Sequence, residues 1–350
     1  MTRDPQATSA EEPDGGNLHV RFRGGPGRDN RPGLLNNRSN RVALLMLLAW
    51  PILAGAQSPA PPAQRAILVT GASTGIGRKV TERLAADGYF VFAGARKPED
   101  LKALGALKNV QAVRLDVTKQ DEINSVADLI SKSGRGLYGL VNNAGIATVG
   151  TVADMKPEEF DLLMAVNLYG PYRMTRAVEP LIIAAKGRVI NIGSIGGIGF
   201  SSNLMAYGMS KHALEAFSES LIVQLKESGA TASIIEPGNY NSEIGKNALQ
   251  RIGPDAQALK DKGYRLTADR SQYKDPDEVA DAVEKALFEP SPKHRYMVTP
   301  NQEEAEWAVS SLIGQLVQLN EGQPYTYSRD QLVKMLDDAL AHARPRTNEH

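Results

Sequence analysis

From Arg65 onward the chain alternates short β-prone runs with helical patterns, and that alternation narrows the fold more than any other feature. Residues 67–69, 89–93, 110–115, 137–141, 188–192 and 231–235 are short and mostly apolar, and 296–298 is a plausible last strand. Apolar residues at helical spacing, such as Ile76, Val80 and Leu84, fill the intervals. Strands that read as buried on both faces, each followed by a helix, imply a parallel sheet covered on both sides. The expectation is an α/β fold.

The flanking segments read differently. Residues 1–41 are rich in Gly, Arg, Asn, Asp and Pro without an apolar period, and are expected to be disordered. Residues 42–56 are uncharged and apolar, follow Arg31, Arg38 and Arg41, and end in Ala54-Gly55-Ala56. That is the layout of a secretory signal, although about 15 residues is short for a membrane span. We expect an exported protein, or one tethered to a membrane through 42–56. The alternative is a cytoplasmic protein whose translation starts later, or an extension that packs on the fold. Ser58-Pro-Ala-Pro-Pro-Ala63 reads as a linker. Three regions follow: a leader over 1–64, a catalytic domain over 65–300, and a helical extension over 301–350. In the last, Trp307, Leu312, Leu316 and Leu319 suggest one helix, and Leu332, Leu336 and Leu340 another.

Composition mainly excludes. Forty basic residues balance forty acidic ones, so nothing pulls the chain toward nucleic acid. The absence of cysteine rules out disulfides and thiolate catalysis. Five histidines, three of them in the last sixty residues, show no metal-ligand spacing, so no metal site is expected.

Gly71, Gly75 and Gly77 lie in the first strand-to-helix turn, Thr70-Gly-Ala-Ser-Thr-Gly-Ile-Gly77. Glycines there let backbone approach a pyrophosphate, and the helix N-terminus offers unpaired N–H groups. Gly71, Ser73, Thr74, Gly75, Ile76 and Gly77 are therefore candidate cofactor contacts; a tight turn without a ligand is the alternative. The second strand ends in Ala95, where an acidic residue would bind an adenosine 2′-hydroxyl, followed by Arg96 and Lys97. Arginine suits a 2′-phosphate, which favours NADP(H) and leaves NAD(H) as the alternative. After the third strand, Asp116 and Val117 are further candidates, with Asp116 either bonding an adenine amino group or capping a helix.

Tyr207 and Lys211 stand four residues apart, and Ser194 lies thirteen residues upstream of the tyrosine at the end of Val-Ile-Asn-Ile-Gly-Ser. A helix over 206–226 would put the phenol and the ammonium on one face. A free tyrosine titrates near 10; lowering it by ~2–3 units takes ~3–4 kcal/mol, within reach of a partly desolvated cation. Tyr207 would then be general acid for ketone reduction or base for alcohol oxidation. Ser194 would donate to the substrate oxygen, and Lys211 would also bond the nicotinamide ribose.

In order, Thr70-Gly-x-x-x-Gly-Ile-Gly77, Asn142-Asn-Ala-Gly145, Asn167, Ser194, Tyr207-x-x-x-Lys211 and Pro237-Gly238 resemble the motif set of the short-chain dehydrogenase/reductase family. The resemblance covers residues 65–300. It implies a single-domain Rossmann-type fold, a doubly wound parallel sheet of about seven strands. It also implies an Asn167-Ser194-Tyr207-Lys211 tetrad, with Asn167 anchoring a water that relays protons to the lysine. Asn143 and Ala144 would line the cofactor site, Pro237 and Gly238 would face the nicotinamide, and Ser242 stands where threonine is frequent. Gly193 replaces a frequent second serine. Homodimers or homotetramers are usual in the family, and the Arg96–Asp100 edge and the C-terminal extension resemble retinol- and hydroxysteroid-dehydrogenase-like members.

Residues 239–275 form a long stretch at the carboxyl edge, where such insertions cover the ligand crevice. Met205, Tyr240, Ile244 and Leu249 are expected to line an apolar pocket, which points to a hydrophobic small-molecule alcohol or ketone. Three other functions compete. A non-catalytic dinucleotide-binding regulator typically lacks the tyrosine or lysine. A sugar-nucleotide epimerase or dehydratase usually has a larger C-terminal domain. A methyltransferase would give the serine, tyrosine and lysine no purpose.

Overall fold

The computed structural model describes residues 64–264 and 267–343. The leader expected to be disordered, the signal-like segment 42–56 and the proline-rich linker lie outside the described residues. Seven strands appear where the sequence places them: β1 (Ala66–Val69), β2 (Phe90–Ala95), β3 (Val110–Arg114), β4 (Gly139–Asn142), β5 (Arg188–Ile192), β6 (Thr231–Pro237) and β7 (Arg295–Val298). All pair in parallel, in the order β3-β2-β1-β4-β5-β6-β7. The order reverses between β1 and β4, which opens a crevice at their carboxyl ends.

Both faces are covered because adjacent residues of each inner strand point to opposite sides. Ile67 and Val69 of β1 join Val91 and Ala93 in one apolar cluster. That cluster is closed by Val80 and Leu84 of α1 (Gly75–Ala86) and by Val279, Val283 and Leu287 of the helix Asp277–Phe288. Leu68, Phe92 and Leu140 belong to a second cluster on the opposite face. There they meet Ile123, Val126 and Ile130 of the helix Gln120–Lys132, Met174 and Val178 of Gly170–Ala184, and Leu221 and Leu225 of Met205–Leu225. Each large side chain sealed in this way contributes ~1.5–3 kcal/mol, so the sheet centre is the stable part of the molecule.

Numbered in chain order after α1, the helices are α2 (Pro98–Gly105), α3 (Gln120–Lys132), α4 (Pro157–Met164), α5 (Gly170–Ala184), α6 (Met205–Leu225), α7 (Ile244–Ile252), α8 (Asp255–Asp261), α9 (Asp277–Phe288), α10 (Gln302–Asn320) and α11 (Arg329–Ala343). The two C-terminal helices form as their apolar spacing implies, yet Leu312, Leu316, Leu319, Leu336 and Leu340 remain exposed. Helix α10 is seated through Ala308, which is buried against Ile195 and Ile198. No helix among the described residues is long and apolar enough to cross a membrane.

Candidate active site

The glycine turn between β1 and α1 is bound to the end of β4. Thr70 Oγ1 accepts hydrogen bonds from the backbone N–H groups of Asn143 and Ala144, both at 3.0 Å. In return the Asn143 side-chain amide donates to the carbonyls of Thr70 and Gly71 at 2.9 and 3.0 Å. Gly71 has φ +65°, and a Cβ there would lie 2.8 Å from Ala144 Cα; one on Gly77 would collide with the Asn143 amide and the Gly71 carbonyl. These two glycines thus allow the chain to approach itself, beyond any approach to a phosphate. Gly75, at φ +55°, faces Ser242, so the stretch after β6 reaches the glycine turn as expected.

The turn fits a dinucleotide pyrophosphate. Helix α1 has no acidic residue in its first turn, and its cap Thr74 uses no side-chain hydrogen bond, so its first N–H groups and the exposed Thr74 hydroxyl can meet an anion. Ser73 and Ile76 flank it, both half-buried. A cleft of about 320 Å³ opens beside it, lined by Thr74, Gly75, Asn241 and Ser242 among others.

At the neighbouring strand ends, Arg96 is exposed and its Nη1 lies 4.0 Å from Asp116 Oδ2. Asp116 Oδ1 accepts from Thr118 N (2.9 Å) and Thr118 Oγ1 (2.7 Å). It caps that turn and not α3, whose N-cap is Lys119. Burial alone would raise the Asp116 carboxyl, but the Thr118 bonds and the Arg96 charge outweigh it and leave it below the ordinary range. Val117 is buried against the start of α5, where a Cβ on Gly170 would press on it at 2.8 Å.

The four tetrad candidates converge at the ends of β4 and β5. Lys211, buried on α6, donates from Nζ to Ile192 O at 2.8 Å. Ser194 follows that strand and accepts from Gly196 N at 3.0 Å, which leaves its own proton free to point elsewhere. Ser194 Oγ and the Tyr207 ring meet at Gly196, where a Cβ would lie 3.4 Å from the one and 3.5 Å from Cε1 of the other, and the serine hydroxyl draws the phenol toward ionisation. Asn167 lies in a π-helical turn, Ala165–Tyr169, between α4 and α5. Its amide is fully engaged, accepting from Ile146 N at 2.9 Å and donating to Ile146 O at 2.9 Å and Ser210 Oγ at 3.1 Å. Ser210 in turn donates to Tyr207 O at 2.7 Å. A Cβ on the exposed Gly145 would stand 3.6 Å from Asn167 Oδ1 and 3.9 Å from Lys211 Nζ, so both meet at that glycine. Behind them Asn142 donates to Asn191 Oδ1 (2.9 Å), and Asn191 to Ser218 Oγ (2.8 Å), pinning β4, β5 and α6 together.

One electrostatic expectation is corrected. The chain's own residues raise the Tyr207 phenol above its ordinary value, because burial outweighs the pull of Ser194 and Arg270. The Lys211 ammonium bonds a backbone carbonyl and lies 5.7 Å from the phenol ring centroid. Burial also draws that amine down, to about 8. A second correction concerns Tyr240. It is buried in the core, and its hydroxyl donates to Glu278 Oε2 at 2.7 Å, so it belongs to the packing against α9 and lines no pocket. Met205, Ile244 and Leu249 remain half-buried.

Other groups had no place in the sequence reading. Glu215, one turn beyond Lys211 on α6, and Glu236 at the end of β6 are both buried, with Arg295 Nη1 3.0 Å from Glu215 Oε2 and also paired to Glu236. Burial first, and the Glu236 charge second, push the Glu215 carboxyl up, against the pull of Arg295. Gly193 faces this carboxyl, since a Cβ there would lie 3.0 Å from Glu215 Oε1; a serine has no room. Glu304 of α10 accepts from Asn239 N at 2.7 Å and packs on Gly238 beyond Pro237. The four-residue spacing of Tyr207, Lys211 and Glu215 was a signal for the first of these groups; Glu304 had none.

The comparisons agree with this fold. A family model described as short chain dehydrogenase matches residues 65–252. Mitochondrial D-beta-hydroxybutyrate dehydrogenase of Bos taurus is 37% identical over 195 residues, covering 53% of this chain and only 57% of that protein's length. Retinol dehydrogenase 5 of Mus musculus is 33% identical over 277 residues, covering 73% of this chain and 86% of that protein. A solved structure of a short chain dehydrogenase/reductase from Burkholderia phymatum in complex with NAD has the same fold, with TM-score 0.64 at 21% identity over 76% of this chain and 98% of that one. With its seven-stranded parallel sheet and its matched catalytic half, the chain belongs to the short-chain dehydrogenase family.

Proposed function

We propose that the protein is an NAD(P)-dependent oxidoreductase that interconverts an alcohol and a ketone or aldehyde, with Tyr207 as general acid/base. The observation that carries this reading is the convergence of Ser194 Oγ and the Tyr207 ring at Gly196, with the buried Lys211 one helical turn beyond the tyrosine. Ser194 donates to the substrate oxygen as negative charge grows on it, and Tyr207 exchanges the proton with that oxygen. Lys211, held by Ile192 O, presents its remaining N–H groups to a nicotinamide ribose. Asn167 positions the tyrosine through Ser210 and holds the loop after β4 against the lysine. A bound nicotinamide dinucleotide supplies or accepts the hydride; the glycine turn, Asn143, Ala144, Pro237, Gly238 and Ser242 would hold it.

Because burial favours its neutral form, Tyr207 is protonated at neutral pH, the state a general acid needs for carbonyl reduction. Arg96, with no acidic residue at the end of β2, supports NADP(H) over NAD(H). The half-buried Met205, Ile244 and Leu249 support an apolar substrate body, and the printed names of the two relatives, hydroxybutyrate and retinol dehydrogenase, are of alcohol-oxidising enzymes.

The test is a panel of ketones, aldehydes and alcohols with NADPH and NADH, run on the parent chain and on Tyr207→Phe. The substitution should lower turnover ~10²–10⁴-fold, the usual range for a lost general acid, while dinucleotide binding measured by fluorescence persists. Undiminished turnover by Tyr207→Phe refutes the assignment.

A further inference from the structure

Arg270 is a cation that the scheme above leaves without a task. It lies in the stretch between α8 and α9, half-buried. Its Nε donates to Tyr240 O at 3.1 Å and its Nη2 to Asn239 Oδ1 at 3.1 Å. Its guanidinium rests over the Tyr273 ring, 4.5 Å from the centroid. Both hydrogen-bond acceptors belong to the turn leaving β6, and β6 pairs with β5, whose end carries Ser194. Backbone, amide and ring therefore fix this guanidinium one strand away from the proposed chemistry.

Its neighbours in the same stretch show how unusual its position is. Lys246 pairs with Glu243 and Arg251 with Glu159, each at 2.8 Å, while Lys262 pairs with Asp154 and Lys274 with Glu278. Lys260 has no pair among the described residues and is exposed to water. Arg270 alone among these cations is partly withdrawn from water with no carboxylate partner among the described residues. A carbonyl and an amide oxygen could be held as well by a glutamine, so they do not explain a full positive charge. Withdrawing a guanidinium from water without a counter-ion is unfavourable, and an anionic ligand relieves it. Its charge also acts on the Tyr207 phenol, which places it within electrostatic reach of the reacting oxygen.

We propose that Arg270 binds an oxyanion of the ligand, and that this is the carboxylate of a hydroxy- or keto-acid substrate whose apolar body lies on Met205, Ile244 and Leu249. The proposal rests on the oxidoreductase reading and sharpens its substrate class. The other source of an oxyanion is a dinucleotide phosphate; the glycine turn and the N-terminus of α1 already provide for that group.

The experiment uses the full chain with Arg270→Gln, which keeps amide donors for Tyr240 and Asn239, and Arg270→Lys, which keeps the charge. A medium-chain keto acid is compared with its neutral methyl ester. Arg270→Gln should raise KM for the acid ~10–100-fold, the loss expected for one charge-assisted hydrogen-bonded contact, and leave the ester unchanged. Arg270→Lys should recover part of that loss, and the dinucleotide Kd should not move. Equal losses on acid and ester, or a weakened dinucleotide Kd with an unchanged acid-to-ester ratio, overturn the proposal. Should the parent chain turn over neither compound while the panel above yields another substrate, the oxidoreductase reading stands and the acid-substrate proposal fails; should the panel fail as well, thermal-shift titration with hexanoate decides Arg270 separately. Stabilisation of the parent chain that is lost in Arg270→Gln supports the anion site; no stabilisation of the parent refutes it.

Discussion

The two walls of the crevice are held together by different means. On the sheet side, the chain lies close against itself: Gly71 and Gly77 leave no space for a Cβ, and four hydrogen bonds between side chain and backbone join Thr70 and Gly71 to Asn143 and Ala144. The facing stretch, 239–275, is held by long side chains. Arg251 reaches Glu159 and the Ala147 carbonyl, Lys262 and Tyr264 reach Asp154, and Arg270 grips the turn after β6. Backbone contacts at van der Waals distance permit almost no displacement. Side-chain ion pairs near water contribute ~0–1 kcal/mol each and can be exchanged singly. The comparison teaches that the cofactor wall is preformed, whereas the substrate wall can shift without unfolding the sheet.

Three substitutions probe that contrast. Gly77→Val attacks the rigid wall, since its Cβ must displace the Asn143 amide or the Gly71 carbonyl. Dinucleotide affinity should fall ~100-fold or more, equivalent to ~2.7 kcal/mol, and Tm should drop with it. Unchanged affinity in a fluorescence titration would show that this wall yields, which removes the distinction. Arg251→Met attacks the side-chain wall by removing one half-buried ion pair and one carbonyl bond. A loss of ~1.5–3 kcal/mol in local stability is expected, seen as faster hydrogen exchange over 244–264 with the dinucleotide Kd retained. Faster exchange across β1 and β4 as well would mean that the walls are mechanically one. The smallest effect belongs to Arg96→Ala, at an exposed end of the rigid wall. NADPH should lose ~3–10-fold in affinity relative to NADH, in keeping with an exposed charge contact. Equal losses for the two dinucleotides would break the proposed preference.

Much of this was legible from the chain alone. The seven strands were readable because β-prone apolar runs alternate with helical spacing, and parallel strands covered on both faces need such runs. Tyr207 and Lys211 were readable as a pair because four residues is one helical turn. What escaped was whatever depends on partners distant in sequence. Arg295 lies 80 residues from Glu215, and only the β6–β7 pairing brings it to that carboxyl. Tyr240 looked like a pocket residue by its place after β6, but its hydroxyl found Glu278 on α9. The apolar spacing of α10 and α11 was correct, while the exposure of their leucines could not be foreseen, since spacing defines a face and not what covers it.

The order of apolar runs, glycines and polar motifs by itself determined the sheet and singled out the candidate catalytic groups, because local propensity and helical spacing act over a few residues. The tertiary structure alone decided the protonation bias of Tyr207, the raised carboxyl of Glu215 and the place of Arg270, which has no carboxylate partner among the described residues. Those depend on how far each group is withdrawn from water and which charge stands near it, and both are set by elements that meet only when the chain has folded.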